Sequence, residues 1–374
     1  MSVQEVTFAA ALRWLSEGRR VAAALLVEVL GSAPLNPGAA MLIDEAGNIE
    51  GSVTGGCVEG ALVEEAERIF AGGEPRVVTY GISDELAGEV GLMCGGTVRI
   101  LVSELTADVA PAVTAGLSAA SEGRPAAIAT VLDGPGIGRR LAIVDGDVVG
   151  ELGVTELLDR SVARDAAGLL EHGVSMIRRY GEDGSTMGDE LRVFVRSFAS
   201  PPRMVIFGAI DFSAALAVLA RESGYAITIC DARKPFLDSE RFSRAAEVVN
   251  DWPDRYLAGQ TLTERDAVLV FTHDPKFDEP ALKAALATGA GYIGALGSRR
   301  TQQDRRRRLA DAGVPEAQLE RIIGPCGLDI GAATPMETAI SILAEIIASR
   351  AHRSAAPLTE TRGAIRAPAE SQLS

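Results

Sequence analysis

The chain has 374 residues, 47% of them hydrophobic and 5% aromatic, with 40 glycines and a net charge of −15 at pH 7. That length allows about two or three domains of ~100–200 residues, and many glycines with few aromatics suit an α/β protein with tight strand–helix turns. The acidic balance argues against general nucleic-acid binding. No apolar run reaches the ~18 residues of a membrane span, and no basic n-region opens the chain, so a cytoplasmic protein without membrane contact is expected.

Residues 5–17 read as a first helix, and Val21 to Leu30 as a buried strand by length and apolar content. The loop "GSAPLNPGAAM" follows, irregular because of Gly31, Pro34, Pro37 and Gly38, before a second strand begins at Ala40. Gly55, Gly56 and Cys57 then lead into a helix over 58–70, where Val58, Leu62, Ala66 and Ile69 recur at helical spacing. Segments 76–81 and 97–105 read as strands, with Cys94 and a glycine pair just before the second.

A weak internal repeat comes next. "AAIATVL" (126–132) resembles "AALLVEV" (23–29), and "LAIVDGDVVGELG" (141–153) resembles "MLIDEAGNIEGSVTG" (41–55). "SMIRRYG" (175–181) matches "PRVVTYG" (75–81), and "ELRVFVRSF" (190–198) matches "TVRILVSEL" (97–105). The order is kept, so residues 1–200 read as one α/β domain duplicated over 5–105 and 110–198. The second copy lacks the GSAPLNPGAAM loop, the Gly-Gly-Cys and any cysteine, which makes those features less dispensable to function than to scaffold.

"ASPPR" (199–203) marks a boundary. Residues 204–233 read as strand, glycine turn, helix, strand, a Rossmann-type βαβ unit, with Asp231 ending the second strand. Further strands are expected at 266–275 and 291–298, with helices at 278–287 and 298–312. The last helix, 334–350, should open on a capping box of Thr334 and Glu337 with Pro335 at its first position. The second domain thus spans 203–350 as a doubly wound parallel sheet, and 351–374 reads as a disordered tail.

Several constellations carry chemistry. Cys57 at a helix mouth is either a reactive or ligating thiolate, favoured by helix-start N–H groups, or a small residue beside a turn. Cys94 poses the same alternative. Four cysteines without a CxxC and three histidines leave no zinc or histidine-cage pattern. The Gly208-Ala209-Ile210-Asp211 turn departs from a dinucleotide fingerprint, because Ile210 stands where the second glycine is needed and Asp211 brings negative charge. Asp231 still suits a ribose hydroxyl, so NAD(P) stays open as a ligand, and with it an oxidoreductase. His273 and Asp274 end a strand and could form a base and its orienter, or a capped turn. Gly297, Ser298, Arg299 and Arg300 form a helix start with arginines, suited to an anion. Arg305–Arg308 read as a solvated face or a partner contact. Asp329 sits in the glycine-rich loop "GPCGLDIGAATP" before the last helix.

Together, "GSAPLNPGAAML", "GSVTGGCVEGALVEEA", "CGGTV", "FTHDPKFDEPAL", "YIGALGSRR" and "GLDIGAATPMETAISILAEI" make the chain resemble the xanthine dehydrogenase accessory factor family over about 12–103 and 203–350. The resemblance implies an accessory domain followed by a Rossmann domain. It also implies a chaperone that holds molybdopterin, the organic part of the molybdenum cofactor, supports its sulfuration by a cysteine desulfurase and delivers it to a molybdenum hydroxylase. It places Cys57 and Cys94 at the cofactor, Cys57 as a molybdenum contact, with Ser32, Gly38, Gly55 and Gly56 around them. A homodimer is the expected assembly, and a cofactor-free scaffold is the remaining alternative. The chain departs from the family pattern at Leu35, at the Gly208 turn and at Cys326.

Overall fold

The computed structural model describes residues 3–31, 33–81, 96–237, 240–242 and 247–362. The chain divides into two compact units, residues 1–200 and 201–362.

The first unit runs α1 (Val3–Ser16), β1 (Val21–Leu30), β2 (Ala40–Asp44), β3 (Ile49–Gly51), α2 (Glu59–Phe70), β4 (Arg76–Tyr80) and β5 (Thr97–Glu104). It then repeats that order as α3 (Ala110–Ser121), β6 (Ala126–Val131), β7 (Arg140–Val144), β8 (Asp147–Glu151), α4 (Glu156–His172), β9 (Met176–Tyr180) and β10 (Leu191–Phe198). Each half forms an antiparallel five-stranded sheet of the same strand order, β3-β2-β1-β5-β4 and β8-β7-β6-β10-β9. Strand periodicity explains the layering. In β1, Ala22, Ala24 and Leu26 face α2 with its Leu62, Ala66 and Ile69, while Leu25 and Val27 meet Leu132 and Phe194 of the other half. Helix α4 covers the second sheet in the same way through Leu158, Val162, Ala166 and Leu169. Helices α1 and α3 pack together through Phe8, Ala11, Trp14, Val113 and Leu117. The β1–β2 connection at 31–39 has a counterpart at 132–139, so the second copy lacks the loop's sequence but not the loop.

The second unit runs β11 (Arg203–Phe207), α5 (Asp211–Glu222), β12 (Ala226–Cys230), α6 (Lys234–Leu237), a 3-10 turn (Glu240–Phe242), β13 (Glu247–Val249), α7 (Pro253–Ala258) and β14 (Ala267–Val270). It ends with α8 (Pro275–Leu286), β15 (Tyr292–Ala295), α9 (Arg299–Asp311), α10 (Glu316–Leu319), β16 (Ile322–Ile323) and α11 (Pro335–Arg350). The sheet is parallel throughout, in the order β13-β12-β11-β14-β15-β16. Strands buried on both faces are the rule for such sheets. Met204 and Ile206 face α5 and α11, and Val205 and Phe207 face α7, α8 and α9. This is a doubly wound Rossmann-type sheet with helices on both sides. Thr334 and Glu337 form the expected capping box of α11. Residues 351–362 follow it as turns and irregular chain.

Candidate functional site

The Gly-Gly-Cys turn is built around a carboxylate. Glu59, the first residue of α2, accepts hydrogen bonds from the backbone N–H groups of Val53, Thr54, Gly55, Gly56 and Val58, at 2.9–3.2 Å. It also accepts from the hydroxyls of Ser52 (2.6 Å) and Thr54 (2.8 Å). Partial burial raises its pKa, but the Ser52 and Thr54 hydrogen bonds outweigh that and hold the carboxyl down at about 2. The helix-start N–H groups that sequence reasoning offered to a Cys57 thiolate are therefore largely taken by the chain's own anion; the Cys57 N–H itself donates to Thr54 Oγ1 at 3.2 Å. Sequence reasoning missed Glu59, although an acid in the first turn of a helix is itself a signal.

This arrangement fixes a shelf. Gly55 (φ 80°) and Gly56 (φ 120°) sit in the left-handed region that glycine allows. Both are exposed, and a Cβ built on either meets nothing within 4 Å. Beside them Cys57 is a free, half-buried thiol packed against the first core with Leu35 and Val29. Gly38 (φ 99°) lies elsewhere in the unit, where a Cβ would stand 3.3 Å from Arg196 Nε. Ser32 and Cys94 lie outside the described residues. Aligning Leu62, Ala66 and Ile69 with Val162, Ala166 and Leu169 puts Leu157 opposite Cys57 and Asp159 opposite Glu59. There Thr155 caps the helix in the ordinary way, and Asp159 accepts one backbone N–H, from Leu152.

In the second unit, the residues singled out by sequence follow adjacent parallel strands at one sheet edge: Gly208 after β11, Asp231 after β12, His273 and Asp274 after β14, Gly297 and Ser298 after β15. Open α/β sheets bind ligands at this edge. Here the chain fills much of it. Asp231 accepts the Ala209 N–H (2.9 Å) and pairs with Arg233 through Nε (2.9 Å) and Nη2 (2.7 Å). Burial raises the Asp231 pKa, and the Arg233 hydrogen bonds more than reverse that. Asp211 opens α5, where a pyrophosphate would sit, and is paired with Arg241 at 2.5 Å. Gly208 (φ 108°) leaves no room for a side chain, since a Cβ would stand 2.9 Å from Thr272. The carboxylate suited to a ribose and the helix end suited to a pyrophosphate are both engaged by protein groups, which weighs against the NAD(P) reading.

Asp274 caps α8, accepting the Lys276 N–H and pairing with Lys276 Nζ at 3.2 Å, while His273 is exposed beside it. Ser298 caps α9 by accepting the Thr301 N–H, with Arg299 and Arg300 exposed in its first turn. Asp329 is exposed in its loop. Arg305 corrects the expectation of a solvated Arg305–Arg308 face. It is fully buried and pairs with buried Asp278 at 2.9 Å, because α9 turns that one position onto α8. Arg306 and Arg307 are surface ion pairs with Glu316 and Asp304. Cys230 and Cys326 are buried, and burial pushes each thiol up to about 12, as for structural cysteines. Among the described residues no group of three or more histidine, cysteine, aspartate or glutamate side chains could hold a metal. Nor is any described helix long and apolar enough to cross a membrane.

The fold and site thus define a two-unit α/β protein: a duplicated sheet domain with a thiol on a glycine shelf, and a Rossmann unit whose nucleotide turn is filled by its own side chains. Residues 204–346 match the XdhC Rossmann domain, residues 14–81 match the XdhC and CoxI family, and the chain belongs to that family. The chain is 25% identical over 338 residues to a protein of Bacillus subtilis (strain 168) named as a probable subunit of xanthine dehydrogenase, covering 90% of this chain and 95% of that one. It is 25% identical over 343 residues to the molybdenum cofactor insertion chaperone PaoD of Escherichia coli (strain K12), covering 92% and 87%. A crystal structure described as a xanthine dehydrogenase from Bacillus halodurans superposes with a TM-score of 0.65 over 96% of this chain and 98% of that one, at 24% identity, a likeness of fold.

Proposed function

We propose that this chain takes the molybdenum cofactor as cargo, holds it while a cysteine desulfurase supplies the terminal sulfur, and hands it to a molybdenum hydroxylase of the xanthine dehydrogenase type. The observation that carries this reading is the Cys57 shelf. An accessible thiol stands beside two glycines with open space over their backbone, and Glu59 holds the loop rigid. A flat pterin needs such close approach to backbone, and a thiolate is a soft ligand suited to a dithiolene-bound metal. The metal would arrive with its own pterin sulfurs, so one protein thiolate suffices and a protein metal cage is not required. The relation to a molybdenum cofactor insertion chaperone over 92% of the chain supports the same reading. Cys94 belongs to the proposal as a second thiol, and a homodimer as its assembly.

The test is expression in a molybdopterin-producing host, followed by mass spectrometry of the ligand released from the purified chain. Wild-type protein should carry molybdopterin near stoichiometry, and Cys57→Ala should lower it about tenfold with the fold intact. Equal loading in wild type, Cys57→Ala and Cys94→Ala would overturn the thiolate assignment. Absence of pterin from the wild type would overturn the function.

A further inference from the structure

The first unit contains a second constellation, away from Cys57 and supplied by the copy without cysteines. Between the inner faces of the two sheets lies a cavity of about 60 Å³, lined mainly by aliphatic side chains such as Leu25, Leu42, Leu117 and Ile128. Two arginines, Arg140 of β7 and Arg196 of β10, and the Thr130 hydroxyl enter this apolar lining. Arg140 is 5% exposed, donates to Ser103 Oγ at 3.0 Å, and has an Nε with no hydrogen-bond partner. Arg196 lies over the rings of Phe8 (4.9 Å) and Phe198 (4.7 Å) and is only partly covered. Neither has a carboxylate partner among the described residues, although most arginines of this acidic chain do.

Two unpaired guanidinium groups in an apolar cavity are unfavourable. Burial lowers Arg140 to about 10, and burial together with the neighbouring Arg140 charge lowers Arg196 to about 9. Stacking on two aromatic rings returns less than desolvating a cation costs. The repeat sharpens the point. The aligned strands put Ala40 opposite Arg140 and Ser103 opposite Arg196, so the fold does not require arginine at either position. Gly38 of the β1–β2 loop closes over Arg196, where a side chain would crowd Nε.

We propose that Arg140 and Arg196 form a binding site for a tetrahedral oxyanion of the phosphate class, with Thr130 and Ser103 as hydroxyl partners. Guanidinium groups recognise phosphate oxygens through paired N–H donors, and a dianion supplies the counter-charge that buried Arg140 and partly covered Arg196 lack. The cavity exceeds the ~10–15 Å³ that a single water needs and can take a group of several heavy atoms. The partial exposure of Arg196 provides the way in. The oxyanion is either free or the terminal phosphomonoester of a larger molecule. The site stands independently of Cys57, so the two proposals fail separately.

The experiment is calorimetric titration of the full chain with inorganic phosphate, phenyl phosphate and acetate, alongside thermal denaturation in each. Saturable phosphate binding that raises Tm, with at least tenfold weaker acetate binding, is expected. Phenyl phosphate binding as tightly as phosphate identifies the phosphomonoester of a larger ligand; inorganic phosphate binding alone identifies the free ion. Arg140→Met with Arg196→Met should abolish binding. Arg140→Lys with Arg196→Lys keeps both charges but loses the fork and should weaken binding about tenfold; it decides the matter if the methionine variant does not fold. No saturable phosphate binding by the wild type, or unchanged affinity in a folded variant, overturns the proposal.

Discussion

Glu59 governs the candidate site more than Cys57 does, because it sets the path of the chain that presents the thiol. Five backbone N–H groups converge on one carboxylate. Removing the charge leaves the partly buried donors without their acceptor. Glu59→Gln keeps the shape but offers one carbonyl oxygen in place of two anionic ones. Discounted for partial exposure, it should cost about 1–2 kcal/mol, read as a lower urea midpoint of the first unit. The pH dependence has a definite sign. The folded carboxyl titrates at about 2, below its ordinary 4.5, so its stabilisation is present above about 4.5 and is lost as pH falls towards 2. Wild type should therefore lose stability over that window, and Glu59→Gln should lose less; parallel profiles would contradict the role given to Glu59. The sequence displayed the Gly-Gly-Cys plainly and Glu59 hardly at all. Spacing shows that a helix begins at 58 or 59, but not that the preceding loop folds back on its first side chain.

At the scale of elements, periodicity located most helices and strands to within a few residues, since each buries one face or alternates faces. It failed where burial depends on a partner element. The run "DRRRR" in α9 reads as uniformly solvated, yet α8 packs on one of its faces and Arg305 is sealed against Asp278, with Gln302 Oε1 and the Leu296 carbonyl also accepting from it. Thr272 completes this cluster by donating to Asp278, so β14, α8 and α9 are tied through one buried ion pair. Breaking such a pair from one side strands a charge. Arg305→Ala should destabilise the second unit by about 3–5 kcal/mol, whereas Arg307→Ala, at an exposed pair, should stay within about 0.5 kcal/mol. Trp14 and Trp252 are the only tryptophans, so in a Trp14→Phe background Trp252 fluorescence follows the second unit through urea denaturation. Similar midpoints for the two arginine variants would contradict the cluster. The same dependence on partners hid Arg140, the one polar letter of β7, and Arg196, one of three in β10; their inward direction appears only once the two sheets face each other.

For the whole molecule, the repeat seen in four short segments becomes a duplication of complete α-β-β-β-α-β-β halves with one strand order. Helices α1 and α3 both run out into Ser-Glu-Gly-Arg, at 16–19 and 121–124. Between α2 and α4 the likeness is one of apolar spacing, since a helix packed on a sheet needs only apolar residues at the right positions. The copies then diverged in chemistry: the first carries the thiol shelf, the second the two arginines of the cavity, Arg140 buried and Arg196 partly covered. The duplicated unit closes its cores with residues between Phe8 and Phe198, and the Rossmann unit closes its own with residues between Met204 and Ile346. A six-stranded sheet covered on both faces has what a domain of that size needs to fold alone. Residues 201–362 expressed by themselves should therefore melt cooperatively, within a few degrees of the Trp252-reported transition of the intact chain. Parallel strands pair only across long crossovers, so the fragment should refold slowly but reversibly, checked by circular dichroism at 222 nm on heating and recooling. A fragment with helical signal but no cooperative transition would show that the Rossmann unit depends on residues before Pro201 for its packing.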